Sequence, residues 1–364
     1  MGKLLWVTPA LASGPLSGAA SQDMASLRYR LLSPARVLAQ AGLASEVLNP
    51  GDAAAAALRA LDDYQAVVIG KLAHDDPAVV GELGGVVLAL VRRAGALGVR
   101  SVADVCDDRF EHPVLGAYWR ELVLRVDQVV AGSDALAGIV RARTAVPVVT
   151  IGDPVEGRRA EARFAPPRAR SWLGRITGAT PRLLKLLWYG HQSNLDEITA
   201  ALPALAAWTA TQDRVDGVEL EMVTAAGFGA EALVARARAA QGAHGVLRLR
   251  FTPWSMAAQS QALRDCDCVI IPATVDNAQK RAKTANRLTE ALWAGRPVLA
   301  HAVPSYLEFA DCAWIGEDLV AGLGVALRNP QQVLRQVRAG QGIVARRYSP
   351  EAIGGLWAQA LRSA

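Results

Sequence analysis

The sequence predicts an α/β protein with two doubly wound parallel-sheet domains that face each other across a cleft. Short apolar runs typical of buried strands alternate with helical stretches along the whole chain. The 364 residues are too many for one ordinary domain and enough for two. Hydrophobic residues reach 52% and aromatic residues only 5%, which favours cores of Ala, Val and Leu between helices and parallel strands.

Six strand-like runs come in the first half of the chain. Helical stretches at residues 26–41 and 77–96 separate some of them, and Gly42 lies where the first of these helices would end. The predicted strands are residues 3–7, 45–48, 66–69, 100–104, 128–131 and 148–151. This half is predicted to form the first domain, residues 1–165.

A change of composition separates the two halves. Residues 152–182 contain Pro154, Pro166, Pro167 and Pro181 among many Arg and Gly residues. This composition predicts a linker at residues 166–182, with a short helix at 171–176.

The alternation of strands and helices then restarts, which predicts a second domain at residues 183–345. Its expected strands are residues 183–189, 218–224, 247–251, 268–272 and 297–301, and its expected helices are 195–208, 231–241, 255–264 and 284–294. From Pro330 onward the pattern is helical. We expect the last helix, within residues 346–364, to pack on the first domain.

The net charge and the length of the apolar runs limit the classes of partner that we expect. The net charge is +5, but the arginines are scattered and no basic run is interleaved with aromatic residues, so nucleic acid is not an expected partner. The excess of positive charge fits anionic small ligands or an anionic membrane surface as partners. No apolar run approaches the roughly 20 residues that span a bilayer, and residues 3–7 fit a first strand better than a signal peptide. We expect a cytoplasmic protein, compatible with peripheral association at the inner face of the membrane.

The four cysteines, Cys106, Cys266, Cys268 and Cys312, have no metal-ligand spacing and are expected to be buried thiols. Asp265-Cys266-Asp267 matches the metal-binding DxD pattern of some sugar transferases, but it falls between a predicted helix and strand, so we interpret it as structural. No essential metal and no cofactor are predicted.

Residues 270–290 contain the densest group of candidate ligand-binding side chains. A buried strand ends at Pro272, a polar loop follows, and a helix is predicted to begin near Lys283. Ligands of parallel sheets bind beyond the carboxyl ends of strands, and helix N-termini favour anions. Four cations reinforce this site: Lys280, Arg281, Lys283 and Arg287. The pattern indicates a diphosphate site, with a solvated basic face as the alternative.

Helical spacing places Lys283, Asn286, Arg287 and Glu290 on one face of the predicted helix. A carboxylate one turn beyond a phosphate site is well placed to accept hydrogen bonds from ribose hydroxyls. Glu290 is therefore the leading candidate for the donor site.

The run Asn286-Arg287-Leu288-Thr289-Glu290-Ala291-Leu292-Trp293-Ala294-Gly295-Arg296-Pro297-Val298, with the strand before it, resembles the donor-binding segment of GT-B glycosyltransferases. It is most similar to the large retaining family 4 type. The resemblance implies two Rossmann-like domains, an activated sugar donor, and Glu290 as the ribose-binding carboxylate. Gly295-Arg296-Pro297-Val298 would be architectural.

The sequence departs from the family pattern in two places. Ala282 stands where the family has a second glutamate, so Asp276 is expected to take part of that role. The loop after the first strand of the second domain lacks the family's Arg and Lys, which leaves the phosphates to Lys280, Lys283 and Arg287, assisted by His191 and Ser193. Trp254 aligns with the base-binding region and is expected either to stack on the base or to belong to the core or a hinge.

Three carboxylates follow the fourth predicted strand: Asp104, Asp107 and Asp108. Because packing alone explains such a group poorly, we interpret it as functional, although Asp104 could instead cap a helix. Asp104, Asp107 and His191 are the catalytic candidates. Arg28, His74 and Asp108 are the candidates for acceptor binding.

The function predicted from these features is hexosyl or pentosyl transfer from a nucleotide- or phosphate-activated donor to a saccharide, lipid or protein acceptor. Bacterial cell-envelope polysaccharide or glycoconjugate assembly is the expected context. The alternatives are a nucleotide-sugar epimerase-like enzyme of the same fold and a non-catalytic sugar- or nucleotide-binding protein.

Overall fold

A computed structural model describes residues 2–16, 24–52, 60–171, 180–227 and 247–362. The chain divides into two compact units. Unit 1 comprises residues 1–155, 281–284 and 346–364, and unit 2 comprises residues 156–280 and 285–345. The helix predicted at 231–241 and most of the one predicted at 171–176 lie outside the described residues.

Unit 1 is built on a seven-stranded sheet in the order β2-β3-β1-β4-β5-β6-β7. All neighbouring strands are parallel except β2 and β3, which are antiparallel. The strands are β1 (Lys3–Val7), β2 (Gly14–Pro15), β3 (Ala44–Leu48), β4 (Tyr64–Ile69), β5 (Arg100–Val105), β6 (Gln128–Ala131) and β7 (Val148–Thr150). The short edge strand β2 was not predicted, because two residues carry no periodic pattern.

The first helical stretch of unit 1 is not the regular helix that the sequence predicted at residues 26–41. A π-helical turn, Arg28–Leu32, lies between α1 (Ala25–Leu27) and α2 (Ser33–Gln40). Within this turn four consecutive residues, 28–31, are buried, whereas a regular amphipathic helix would expose one side. The remaining helices of this part are α3 (Pro77–Ala96), α4 (Gly116–Leu122) and α5 (Asp134–Arg141), with a 3₁₀ turn at Leu61–Asp63.

The core of unit 1 lies on both faces of its sheet. Along β1, Leu5 and Val7 pack into one apolar layer, and Leu4 and Trp6 pack into the other, as the alternation of side chains along a strand requires. The C-terminal helix contributes Trp357 to the second layer, where its ring meets that of Trp6 edge-on with centroids 5.4 Å apart.

Unit 2 is built on a six-stranded, wholly parallel sheet in the order β10-β9-β8-β11-β12-β13. Its strands are β8 (Leu183–Tyr189), β9 (Gly217–Thr224), β10 (Leu247–Pro253), β11 (Cys268–Ile271), β12 (Val298–Ala300) and β13 (Trp314–Ile315). The two-residue edge strand β13 was not predicted.

Helices follow most strands of the second half. They are α6 (Leu195–Thr211), α7 (Met256–Asp265), α8 (Ala278–Arg281), α9 (Asn286–Trp293), α10 (Leu319–Arg328), α11 (Pro330–Arg347) and α12 (Pro350–Arg362), with 3₁₀ turns at Gln192–Asn194 and Pro304–Phe309. Among the described residues, no helix has the length and apolar character needed to cross a membrane.

Two segments lie in a different unit from the predicted one. Residues 281–284 belong to unit 1, because Ala282 packs in its core and the Ala282 carbonyl accepts a hydrogen bond from Ser133 Oγ at 2.7 Å. Residues 156–165, predicted for the first domain, belong to unit 2, where the amide of Ala160 donates to the carbonyl of Trp293 at 3.0 Å.

Candidate functional site

Sheet topology locates the crevice in each unit where a ligand is expected. In unit 2 the chain runs from β8 outward to β10 and then returns to the other side of β8 as β11. In unit 1 it runs from β1 to β3 and then to the other side of β1 as β4. Doubly wound sheets bind ligands at such reversals, beyond the carboxyl ends of the strands. The loops after β8 and β11, and those after β1 and β4, therefore frame the candidate sites.

Arg287 lies at the reversal in unit 2. It belongs to the first turn of α9, and its guanidinium Nη1 would be 3.6 Å from a β-carbon placed on Gly190, in the loop after β8. This Nη1 is buried and has no hydrogen-bond partner among the residues that the structure describes, a state that ordinarily costs about 1–3 kcal/mol. A cation held in this way at a sheet reversal suits an anionic ligand.

Tyr189 fixes the backbone of this turn, since its hydroxyl donates to the carbonyl oxygen of Arg287 at 2.7 Å. Burial, followed by the charge of Glu290, raises the pKa of Tyr189 well above its ordinary value, so the hydroxyl keeps the proton that it donates. The last residue of β8 and the first turn of α9 are thus held together.

Glu290 is buried, with 6% of its surface exposed. Its Oε2 accepts a hydrogen bond from Nε2 of Gln259 at 2.9 Å, and Oε1 of the same Gln259 accepts from the indole Nε1 of Trp254 at 2.8 Å. Trp254 follows β10, Gln259 lies on α7 and Glu290 lies on α9. The amide of Gln259 thus links Glu290, the predicted ribose ligand, to Trp254, for which the sequence left base stacking and a core or hinge position open.

A buried carboxylate that the sequence did not single out, Glu197, holds the loop after β11. Its Oε1 lies 2.9 Å from Nζ of Lys280 and accepts from the amide of Thr274 at 3.2 Å, and Lys280 also donates to Asn194. Glu197 lies in the first turn of α6, where acidic residues are common, so its role had no distinctive sequence signal.

The predicted common helix face of Lys283, Asn286, Arg287 and Glu290 is wrong. α9 begins at Asn286 rather than at 284, so Lys283 precedes it and belongs to unit 1. Lys280 lies on the separate short helix α8. The reason is tertiary: Thr284 Oγ1 donates to Asp153 at 2.9 Å, which holds this stretch in unit 1.

The other predicted donor and catalytic residues of unit 2 lie closer to the surface. His191 is exposed and caps the 3₁₀ turn that follows it, its Nδ1 accepting from the amide of Ser193 at 3.2 Å and lying 2.9 Å from the Ser193 hydroxyl. Asp276 is exposed in the loop after β11, and Asn286 is half-buried. Asp267 accepts from the amide of Lys185 at 2.9 Å, a structural contact.

A buried charge network occupies the carboxyl edge of the sheet in unit 1. Arg30, in the π-helical turn, binds Asp104 through Nη2 at 2.6 Å and Asp153 through Nη1 at 3.0 Å, and Nη1 also donates to the carbonyl of Ile151 at 2.6 Å. The interpretation that packing could not explain Asp104 is therefore wrong, because a buried guanidinium neutralises it. Burial would lower the pKa of Arg30, but the two carboxylates raise it. Burial also raises the pKa of Asp104, although the guanidinium of Arg30 opposes this.

Sequence reasoning selected Arg28 and passed over Arg30, two positions away. Arg28 is also buried, with its guanidinium 5.2 Å from the ring of Tyr29. No spacing pattern distinguishes the two arginines. The π-helical turn that sets the direction of their side chains could not be predicted from sequence periodicity.

Asp107 lies between two lysines. Lys71 Nζ is 2.6 Å from its Oδ2, and Nζ of Lys283 contacts its Oδ1. Burial would raise the pKa of Asp107, but the ammonium groups of Lys283 and Lys71 lower it to about 2. Asp107 is thus ionised at neutral pH and is a weak proton acceptor.

A small cavity lies at the reversal of the sheet in unit 1, with a volume of about 30 Å³. Thr8 after β1, Gly70 and Lys71 after β4, and Cys106 after β5 all line it. The predicted acceptor residues Arg28, His74 and Asp108 are not among its lining residues. His74 is exposed, and the carboxylate of Asp108 accepts from the amide of Phe110 at 3.3 Å.

Comparison with solved structures decides the fold. HepE (Alr3699) of Anabaena, solved in complex with UDP, aligns over 100% of both chains with 14% identity and a TM-score of 0.63. A trehalose-6-phosphate structure from E. coli, bound with UDP-2-fluoro glucose, aligns over 100% of this chain and 99% of its own with 10% identity and a TM-score of 0.64.

The chain has the GT-B fold. WaaG, described as a glycosyltransferase involved in lipopolysaccharide biosynthesis, is similar over 99% of this chain and all of its own, with 14% identity and a TM-score of 0.61. No family model and no curated protein matches the sequence. The predicted fold class and the predicted resemblance to GT-B glycosyltransferases are thereby confirmed at the level of fold.

Proposed function

We propose that this GT-B protein is a glycosyltransferase that uses a nucleotide-activated sugar. The carrying observation is the buried Nη1 of Arg287, which has no hydrogen-bond partner in the described part of the chain and lies beside Gly190 at the reversal of the unit 2 sheet, one turn before Glu290. Structures of the same fold contain UDP or a UDP-sugar analogue, in HepE and in the E. coli trehalose-6-phosphate protein. A nucleoside diphosphate combines a diphosphate, a ribose and an aromatic base, the three groups that Arg287, Glu290 and Trp254 suit.

In this proposal each part of the donor meets a different side chain. Arg287 binds the diphosphate and stabilises the negative charge that grows on it as the glycosidic bond breaks. Glu290 accepts hydrogen bonds from the ribose hydroxyls, as a carboxylate one turn beyond the phosphate site is placed to do. Trp254, oriented through the same Gln259, offers an aromatic face to the base.

Lys280 and Glu197 have a supporting role. Their ion pair holds the loop after β11 against the start of α6, and both groups lie within hydrogen-bond distance of backbone or amide partners. We propose that Lys280 positions this loop, with its remaining charge adding to the potential of the anion site. Asp276, Asn286, His191 and Ser193 are peripheral donor contacts in this scheme.

For the acceptor we propose the crevice of unit 1 beyond β1 and β4, beside Lys71 and Asp107. Asp104 is a positioning residue held by Arg30, and Asp107 with its low pKa acts through hydrogen bonds rather than as a strong base. We propose a saccharide, lipid or protein acceptor of the cell envelope, since the net charge of +5 fits work at an anionic membrane surface.

The test is nucleotide binding with a matched pair of arginine variants. UDP, GDP and CMP are titrated into the protein by calorimetry, and we expect at least one to bind with micromolar affinity. Arg287→Met should weaken that nucleotide tenfold or more, because a charged hydrogen bond to phosphate is lost. Arg214→Met, which removes an exposed arginine shortly before β9 and so at the amino end of the strands, should leave the affinity unchanged.

Turnover is then measured as release of the nucleotide from its sugar conjugates in the presence of candidate acceptors. Equal affinity in wild type and Arg287→Met would overturn the proposed donor site. Binding that never leads to release, with any sugar conjugate or acceptor, would favour the non-catalytic binding protein.

A further inference from the structure

Gly190, which directly follows β8, has no side chain, although neither its backbone nor its neighbours require a glycine. Its φ lies outside the left-handed region, and a β-carbon placed on it would come no closer than 3.6 Å to any described residue beyond its chain neighbours. Such a glycine allows a group from outside the chain to approach the backbone closely. Gly190 lies at the reversal of the unit 2 sheet, where a ligand is expected.

Two side-chain nitrogens border the space beside Gly190. A β-carbon on Gly190 would lie 3.6 Å from Nη1 of Arg287 and 3.7 Å from Nδ2 of Asn194. Within the described part of the chain, Nη1 is buried without a hydrogen-bond partner and Nδ2 donates to no group. Both nitrogens carry hydrogens, and neither accepts a hydrogen bond. The space between them therefore suits an oxygen acceptor that the described residues do not supply.

The orientation of Asn194 indicates that its side chain serves something other than the helix that it starts. Asn194 is the N-cap residue of α6, but its side chain forms no capping hydrogen bond. Its Oδ1 instead accepts a hydrogen bond from Nζ of Lys280. Because an ammonium group only donates, the amide oxygen has to face Lys280, which leaves Nδ2 on the side of Gly190.

Lys280 is held in turn by a buried carboxylate. Its Nζ lies 2.9 Å from Oε1 of Glu197, and the Glu197 side chain is only 4% exposed. The same oxygen accepts from the amide of Thr274 at 3.2 Å. A buried ion pair of this kind has a fixed geometry, since separating it leaves an unpaired charge inside the protein. A row of contacts thus leads from Glu197 through Lys280 to the amide of Asn194.

We propose that Asn194 is a second ligand of the donor diphosphate and shares a phosphate oxygen with Arg287 in the space beside Gly190. Lys280 and Glu197 are positioning residues, which set the direction of the Asn194 amide without touching the donor. A hydrogen bond from a neutral amide to a phosphate oxygen is stronger than one to an uncharged acceptor, so Asn194 supports the arginine without adding charge. This inference rests on the proposed donor site, because it concerns the same diphosphate.

Asn194→Asp distinguishes a phosphate ligand from a residue that only holds Lys280. The aspartate keeps the shape of the side chain, suits a helix N-cap and gives Lys280 a stronger acceptor, so a purely structural Asn194 predicts wild-type nucleotide binding. A phosphate ligand instead loses its donor and acquires a charge that repels phosphate. In calorimetry with UDP and GDP, the nucleotide that wild type prefers should bind at least about 30-fold more weakly. Asn194→Ala should lose about tenfold. Asn329→Ala, at an exposed position after α10, should bind like wild type.

Gly190→Ala tests the space itself. The added methyl group meets no described atom beyond its chain neighbours closer than 3.6 Å, so the melting temperature should not fall. The methyl group would occupy the place of the phosphate oxygen, and the same nucleotide should bind at least about tenfold more weakly. Gly85→Ala, at an exposed position on α3, should keep the wild-type affinity. Wild-type affinity in Gly190→Ala would show that the donor does not use this space.

Lys280→Met tests the positioning role in a double-mutant cycle. Alone, it should weaken nucleotide binding several-fold, but in the Asn194→Ala protein it should cause little further loss, because Lys280 acts through the amide. Equal losses in both backgrounds would mean that Lys280 meets the phosphate directly, and its positioning role would be wrong. Lys185→Met removes the same charge from an exposed side chain in the first half of β8, and should leave the affinity unchanged.

The outcomes separate this inference from the proposed function. If Arg287→Met weakens nucleotide binding and Asn194→Asp does not, the donor site stands and the role of Asn194 is wrong. Wild-type protein that binds neither UDP nor GDP would contradict a diphosphate ligand at Asn194. Failure to bind CMP as well would remove the proposed donor site altogether.

Discussion

Gln259 donates a hydrogen bond to Glu290 over 2.9 Å, and its other amide atom accepts one from Trp254 over 2.8 Å. One neutral side chain on α7 therefore fixes the rotamers of two residues from different elements. Both ends of the Gln259 amide are used, which also settles its orientation. A site held in this way is sensitive to a residue that needs no contact with the ligand.

Replacing Gln259 with Leu tests this relationship. Gln259→Leu should raise the dissociation constant of the bound nucleotide about tenfold and cost about 1–3 kcal/mol of unfolding free energy, because Glu290 and Trp254 each lose a partner. Calorimetry and urea unfolding measure the two effects. Gln261→Leu on the same helix is the control: Gln261 is exposed, and its side chain bonds to the surface residues Arg264 and Asp265 of the same helix, so both quantities should stay near wild type.

Acid unfolding should reveal the ionised state of Asp107. Its pKa of about 2 lies below the ordinary value of 3.8, so its ionisation stabilises the fold above about pH 4, and this contribution is lost as the pH falls towards 2. The ionisation of Asp107 contributes about 2 kcal/mol to the unfolding free energy at most. Urea unfolding of Asp107→Asn should show a flatter dependence on pH across this window than wild type. Lys3→Met, which removes an exposed partner of Glu46, should keep the wild-type slope.

The buried guanidinium of Arg30 should be a major source of stability for unit 1. Arg30→Met leaves Asp104 and Asp153 buried without their cation, and we expect a loss of about 3–5 kcal/mol in unfolding free energy. Arg30→Lys should recover only part of this, because an ammonium cannot contact both oxygens of Asp104 and the carbonyl of Ile151 together. Arg36→Met, at an exposed position on α2, should change stability by less than about 0.5 kcal/mol. Equal unfolding midpoints for the variants at positions 30 and 36 would contradict the network.

Gly295 should be intolerant of any side chain. Its φ is 73°, and a β-carbon there would collide with the carbonyl oxygen of Glu161. Gly295→Ala is therefore expected to destabilise unit 2 by more than about 1 kcal/mol. Gly85, exposed on α3 with open space around it, gives the matched control. Gly85→Ala should raise stability by roughly 0.5–1 kcal/mol, so thermal melting should move the two variants in opposite directions.

The order of strands and helices in the described parts could be predicted from the sequence because parallel strands buried on both faces form uninterrupted apolar runs. The predicted ranges 3–7, 128–131 and 183–189 coincide with strands of the structure. The motif around Glu290 also pointed to the GT-B fold through its resemblance to a known donor-binding segment. Its glycine, Gly295, ends α9 in a turn with positive φ, which few other residues tolerate.

The pairing of side chains at the candidate sites could not be predicted in the same way. Arg30 meets Asp104 across 74 positions of the chain, Gln259 meets Glu290 across 31, and Lys280 meets Glu197 across 83. Periodicity reports on neighbours one or two turns away, so it cannot select between Arg28 and Arg30 or identify Glu197. The predicted single helix face failed for a related reason, because Ala282 and Thr284 pack in unit 1 rather than continue α9.

The sequence alone determined the fold class and the alternation of elements, because local apolar patterns and one local motif carry that information; the same motif made Glu290 the leading donor-site candidate. The tertiary structure alone decided which charges neutralise one another, where α9 begins and that the buried Nη1 of Arg287 finds no hydrogen-bond partner within the described ranges. Those outcomes depend on contacts between distant segments, where the cost of burying an unpaired charge selects the partner that the fold brings within reach.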